Sequence, residues 1–313
     1  MKAIFRVMTM AVLLAFLLLG LALAWWWSHP PDAVRELRAH HGGLDRLERT
    51  PVTGLGDDVE RWSLIAPGSD TVTALWRRGS HAEPDWVVVL LGGIGTDDRA
   101  ALLVPSELPV GVLAVSWPWK GSRTMSQGEF LRTVPAMRGA LLSTPGAIAR
   151  GVEGVRKAHP NARVVLIGAS LGVAPTVAAL ALTRVDALVL VDGAADLERL
   201  MRFEVARELG PKSTVGWLAG PAGSLGGRLL ASLEPSRHAA AAAGTPVLLV
   251  DAAEEERYPP ACVERLHQTF PHARRVQHPG PHIRPEARAQ VLAVIEAAVT
   301  WIGTLPRAER APN

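Results

Sequence analysis

Two hydrophobic rhythms alternate along most of the chain. Val59-Glu60-Arg61-Trp62-Ser63-Leu64-Ile65 and Thr71-Val72-Thr73-Ala74-Leu75-Trp76 alternate apolar with polar on either side of Pro67-Gly68-Ser69-Asp70. That pattern predicts a hairpin at the antiparallel edge of a larger sheet. Trp86 to Leu91 and Val110 to Val115 are continuous apolar runs, as strands covered on both faces require. A helical pattern from about Ala136 to His159 precedes the apolar run Val164-Val165-Leu166-Ile167 and a small-residue helix from Val173 to Leu180. Ala187 to Val191 and Pro246 to Val250 read as further strands. Pro260 to Phe270 reads as a helix, Arg275-Val276 as a short strand, and Arg284 to Ile302 as a last helix. Buried strands alternating with helices predict an α/β fold with a mostly parallel sheet and helices on both faces.

The N-terminus has a different character. No charged residue occurs from Val7 to Trp27, a length that spans about 30 Å as a helix and matches the hydrocarbon core of a bilayer. Lys2 and Arg6 precede the run and Trp25, Trp26 and Trp27 close it, so residues 1–6 are expected to be cytoplasmic and 7–27 a single transmembrane anchor. The folded part is then exported, to the periplasmic or extracellular side. Ala22-Leu23-Ala24 offers the alternative of signal cleavage and secretion; the length of the run and the tryptophan triplet favour retention. Residues 28–57 read as a juxtamembrane linker with a short helix from Ala33 to Ala39, 58–302 as the folded domain, and 303–313 as a polar tail.

A chain of 313 residues that is 48% hydrophobic is long enough for one large α/β domain. The net charge of +3, without basic blocks, gives no footprint for nucleic acid. The single cysteine, Cys262, excludes an intrachain disulfide and any multi-cysteine metal site, and its place at a helix start suits a structural thiol. No metal-ligand spacing or phosphate-cradling loop occurs, so neither metal nor cofactor is expected. His40, His41 and His81 fall in linker or turn contexts and read as solvated.

Catalytic chemistry concentrates after the strands. Gly168-Ala169-Ser170-Leu171-Gly172 follows one apolar run directly and opens onto a helix, the corner at which a serine hydroxyl is held out of a sheet for attack. Such a serine needs a general base oriented by an acid. His282, in the Pro/Gly loop His278-Pro279-Gly280-Pro281-His282-Ile283, is the candidate base. Asp251, Glu254, Glu255 and Glu256 follow the strand ending at Val250 and are candidate acids, and Asp192 after Val191 is a further alternative with a structural role in competition. Asp97 and Asp98 read as a helix cap or as part of the site.

From about Asp58 to Trp301 the chain resembles the α/β-hydrolase superfamily, on the serine corner, the acid loop, the histidine loop and Leu91-Gly92-Gly93-Ile94-Gly95-Thr96. The resemblance implies a Ser170–Glu255–His282 triad, although glutamate is the less common acid there and Asp251 stands where a small residue or histidine is usual. It further implies an oxyanion hole from the backbone N–H groups of Leu171 and Ile94, with Gly93 as the alternative to Ile94. Glycine replaces histidine in that second loop. Trp117 and Trp119 stand where the family often has an arginine-glycine turn, and read as packing or as a pocket wall. Residues 197–243 would form a short helical cap over a largely apolar acyl pocket. The implied activity is that of a serine carboxylesterase acting on a small-molecule acyl substrate. A peptidase, thioesterase or acyltransferase would use the same residues, and a non-catalytic, membrane-anchored binding module would keep the fold. The sequence specifies no oligomeric state.

Overall fold

Each apolar run is a strand whose successive side chains face opposite layers. The computed structural model describes residues 18, 21, 24, 25, 27–68, 70–93, 96–119, 127–210 and 216–306. The strands are β1 (Arg46–Pro51), β2 (Val59–Ile65), β3 (Val72–Arg77), β4 (Trp86–Leu91), β5 (Val110–Val115), β6 (Arg163–Ala169), β7 (Ala187–Val191), β8 (Val247–Glu254) and β9 (Arg274–Pro281). The helices are α1 (Ala33–Ala39), α2 (Gln127–Ala158), α3 (Val173–Ala179), α4 (Leu197–Leu209), α5 (Ala219–Leu229), α6 (Pro260–Thr269) and α7 (Arg288–Thr304). The strands pair in the order β1-β2-β3-β5-β4-β6-β7-β8-β9. From β5 to β9 the pairs are parallel, and β1, β2 and β3 extend the β5 edge antiparallel.

Side-chain alternation sorts the core into two layers. Val87, Val89 and Leu91 of β4 join Leu113, Val115, Val164 and Leu166 on one face of the sheet. Val88 and Leu90 join Val112, Ala114, Val165 and Ile167 on the other. The first layer is closed by α2 and α3 through Ile148, Val152, Val173 and Val177. The second is closed by the 3-10 turn Asp97–Leu103 and by α7, through Ala100, Val294, Ala298 and Ile302. Full burial of a valine or leucine contributes about 1.5–3 kcal/mol, and a one-residue slip would turn each strand's set to the wrong layer. Burial on both faces therefore fixes the register, and with it the level at which each strand ends.

Several boundaries differ from those the sequence suggests. Arg46–Pro51, inside the stretch read as linker, is an edge strand paired with β2; it is exposed except at Leu47, so it carries no hydrophobic rhythm. The helix expected from Ala136 begins at Gln127 and holds Pro135 and Pro145 within it. The last helix starts at Arg288 rather than Arg284, and takes up Gly303 and Thr304 from the expected tail. The helix at Ala33–Ala39 is present as read. The anchor expected over 7–27 lies almost wholly outside the described residues, and among the described residues no helix is long and apolar enough to cross a membrane.

Candidate active site

The serine corner is built by close approach. β6 ends at Ala169, Ser170 takes φ +55°, and the turn Ser170–Gly172 leads straight into α3. A positive φ in a serine is a strained conformation, held only where the surroundings enforce it. Here strand and helix leave no room for flanking side chains. A Cβ at Gly168 would lie 2.7 Å from Thr176 Oγ1, and one at Gly172 would lie 2.6 Å from the Leu91 carbonyl oxygen.

His282 reaches this corner from the far edge of the sheet. Between β8 and β9 the register slips, with Ala252 opposite His278 but Glu254 opposite Pro281. Gly280 takes φ +84° in the extra residue's position. This bulge aims the chain after β9 toward the acid loop. His282 Nε2 lies 2.8 Å from Ser170 Oγ, and His282 Nδ1 lies 2.8 Å from Glu255 Oε2. Glu255 Oε1 accepts the backbone N–H groups of Arg257 (2.7 Å) and Tyr258 (2.9 Å). Burial alone would raise the Glu255 carboxyl, but the hydrogen bond and charge of His282, with those two amides, hold it below the usual carboxylate range. In the tautomer that donates Nδ1–H to ionised Glu255, Nε2 is free to accept the serine proton.

The other carboxylates of the loop point elsewhere. Asp251 Oδ2 lies 2.9 Å from His267 Nε2, and burial pushes its carboxyl up. Glu254 is exposed, and Glu256 faces Arg284 at 3.4 Å on the surface. Asp192 is fully buried, with both oxygens 3.0 Å from His278 Nε2. Its Oδ2 also accepts the Ile283 N–H at 2.6 Å. It thus braces the residue next to His282. The ligand atoms of Asp192, Glu255 and His282 lie within 4.8 Å of one another, yet each is already engaged in these hydrogen bonds.

Tyr258 is a member of the site that the sequence reading did not single out. Its Oη lies 3.2 Å from Ser170 Oγ, and its ring meets His282 edge-on at 5.0 Å between centroids. The signal available was slight: it is the chain's single tyrosine, three residues past Glu255. Of the expected oxyanion donors, Leu171 sits in the first turn after Ser170, while Ile94 lies outside the described residues. Gly93, the alternative, accepts from Thr96 N–H (2.9 Å) and Oγ1 (2.8 Å) through its carbonyl. Trp117 packs rather than walls the site. Its indole N–H donates to the Gly92 carbonyl at 2.9 Å, and its backbone N–H to Asp97 Oδ1 at 2.7 Å.

An apolar cavity of about 190 Å³ opens at Ser170. None of its lining residues belongs to 197–243, and the cavity lies between the sheet and α7 rather than beneath the expected cap. Within 197–243, α4 and α5 are the principal helices, and Arg257 of the acid loop lies 4.0 Å from Glu204 on α4.

No protein-family model matches the sequence, and neither does any curated protein. Solved structures do. A Mycobacterium tuberculosis puromycin-hydrolyzing peptidase aligns with TM-score 0.53 at 20% identity, over 85% of this chain and 40% of that one. Acetyl xylan esterase 1 from Thermoanaerobacterium sp. aligns with TM-score 0.52 at 13% identity, over 88% and 93%. A Pyrococcus furiosus esterase aligns with TM-score 0.52 at 13% identity, over 82% and 96%. With its serine corner between parallel strands and helices and these likenesses across most of its length, the chain has the α/β-hydrolase fold.

Proposed function

We propose that the protein is a serine hydrolase that cleaves carboxylic esters through an acyl-enzyme intermediate. The observation that carries the reading is His282, held at 2.8 Å from both Ser170 Oγ and Glu255 Oε2. His282 Nε2 takes the hydroxyl proton as Ser170 Oγ attacks the acyl carbonyl, and Glu255 stabilises the imidazolium that forms. The Leu171 N–H, with a second donor from the loop after β4, receives the oxyanion. His282 returns the proton to the departing alcohol. Water then repeats the sequence on the acyl-serine and releases the acid.

An ester is favoured over a charged or peptide substrate by the apolar cavity at the nucleophile. The similar structures include both esterases and a peptidase, so the test spans both bonds. A panel of p-nitrophenyl esters and aminoacyl amides is assayed with wild type and Ser170→Ala, alongside labelling by a fluorophosphonate probe. Ester turnover and labelling that vanish in Ser170→Ala, a loss on the order of a million-fold in kcat, support the proposal. A wild type that neither turns over nor labels is a binding module.

The charge-free run from Val7 to Trp27 supports a further part of the reading: a single N-terminal anchor holding the hydrolase on the exported side of a membrane. Protease accessibility of the folded domain in intact cells, and its resistance to alkaline extraction from membranes, test that placement. Release into the medium would indicate cleavage instead.

A further inference from the structure

Protein interiors are close-packed and leave few voids larger than a water molecule. The layer between the sheet and α7 departs from that rule. Its cavity of about 190 Å³ runs from Ser170 inward past Val88 and Leu90 of β4, Ile167 of β6, Ala100 of the 3-10 turn and Ala298 of α7. Two rulers give its depth. Val88 pairs with Val165, four residues before Ala169, which at about 3.3 Å per residue places the inner wall roughly 13 Å below the corner. Along α7 the lining extends from Val291 to Ile302, about 16 Å at 1.5 Å per residue. Arg163, at the start of β6, reaches the carbonyl of Leu305 just past α7, so the helix runs from the site toward the N-terminal ends of the strands. The lining therefore extends from the nucleophile down between the strands and α7.

Its chemistry is as one-sided as its shape. The lining side chains are aliphatic apart from the hydroxyls of Thr96 and Ser170, and none is titratable. A charged acyl group would lose its hydration there without a partner, at prohibitive cost. An aliphatic chain loses nothing polar and fills space that is otherwise poorly used. Small side chains make the opening: Ala100 and Ala298, both buried, stand where larger residues would close it.

We propose that this cavity is the acyl-chain site, and that the substrate is an ester of an uncharged, linear, medium-chain acid whose tail threads between the sheet and α7. The proposal rests on Ser170 being the nucleophile. The chain enters beneath the serine with its carbonyl at Ser170 Oγ, and the departing alcohol lies on the side open to solvent.

The test compares p-nitrophenyl acetate, octanoate and palmitate. Octanoate is preferred by wild type. Ala298→Leu, which fills the bore, lowers the octanoate-to-acetate ratio of kcat/KM at least about tenfold, the scale on which a hydrophobic pocket discriminates methylene groups. Ile302→Ala, which deepens it, moves the preference toward longer chains. Unchanged ratios in folded, fluorophosphonate-labelled variants would overturn the acyl-site proposal while leaving the hydrolase intact; absence of labelling in wild type would instead remove the hydrolase. A measurement on wild type alone closes the remaining gap. Modification by octyl fluorophosphonate raises Tm above that of the ethyl adduct if the chain occupies the cavity, and equal Tm values count against it.

Discussion

The Tyr258 hydroxyl stands 3.2 Å from Ser170 Oγ while its ring packs edge-on against His282, so one side chain touches both the proposed nucleophile and its proposed base. Burial pushes the phenol's pKa up, which keeps it protonated and able to donate. In the proposed reaction Ser170 directs its own proton to His282, and Oγ then accepts from Tyr258. In the acyl-enzyme mechanism proposed above, that hydrogen bond withdraws density from the nucleophile during acylation. During deacylation Oγ is the leaving atom, and the same donor stabilises it.

Tyr258→Phe separates these effects, since it keeps the ring and removes the hydroxyl. A neutral hydrogen bond contributes about 1 kcal/mol, or roughly a fivefold change in rate. With a p-nitrophenyl ester, the pre-steady-state burst should persist while the steady-state rate falls by about that factor. Loss of the burst together with the steady rate would mean that the tyrosine serves acylation or simply supports the fold.

The buried pair Asp192–His278 is expected to matter for stability and for the placement of His282. Removing one member of a buried pair costs about 3 kcal/mol or more, because the other is left without a partner. Asp192→Ala strips acceptors from both His278 and the Ile283 N–H. Urea unfolding should show a loss of that size. The protein that remains folded at low temperature should have a lower kcat, because the residue beside His282 has lost its brace. A stable variant with unchanged kcat would leave Asp192 without a positioning role.

How much of this was legible before the structure follows from which residues carry a rhythm. β4 to β8 announce themselves because both faces are buried and the runs are continuously apolar. β1 does not, because Arg46–Pro51 lies on the sheet edge and buries almost nothing. The helical pattern read from about Ala136 leaves out Pro135, yet α2 carries that proline inside and begins at Gln127. Ser170 and His282 stand out by their strand-to-loop positions. Glu255 is singled out among neighbouring carboxylates by the family resemblance alone, because four acidic residues in one short stretch carry no hydrophobic signature that separates them; in the structure its Oε2 lies 2.8 Å from His282 Nδ1. The cavity was invisible because Ala100 and Ala298, as small residues, carry no signal of their own until the opposing strands are in place.

Cys262 supplies a prediction about reactivity. It is fully buried at the start of α6, and burial pushes its thiol up to about 11. The thiolate is the reactive form, so at pH 8 the native protein should not react with Ellman's reagent over hours. One thiol should appear on denaturation. Rapid native labelling would indicate that the α6 region opens readily, and would undercut its assignment as part of the core.

The acid sensitivity of the site follows from Glu255. Its carboxyl lies below the 4.5 usual for glutamate, despite burial, because of His282 and the two backbone amides. A group whose folded pKa is depressed contributes stability that is complete above the unfolded value and is lost as pH falls through the folded value. Glu255→Gln removes the charge at every pH, so the wild type's stability advantage should be full at pH 7, persist to about pH 4.5, and shrink as acid protonates Glu255. At pH 7 the same variant should lose roughly ten-thousand-fold in kcat if Glu255 orients and stabilises the imidazolium. Paired melting curves from pH 7 to pH 3 check the first statement and ester turnover checks the second. A stability gap that stays constant on acidification, with activity retained, would mean that His282 is held by something other than this carboxylate.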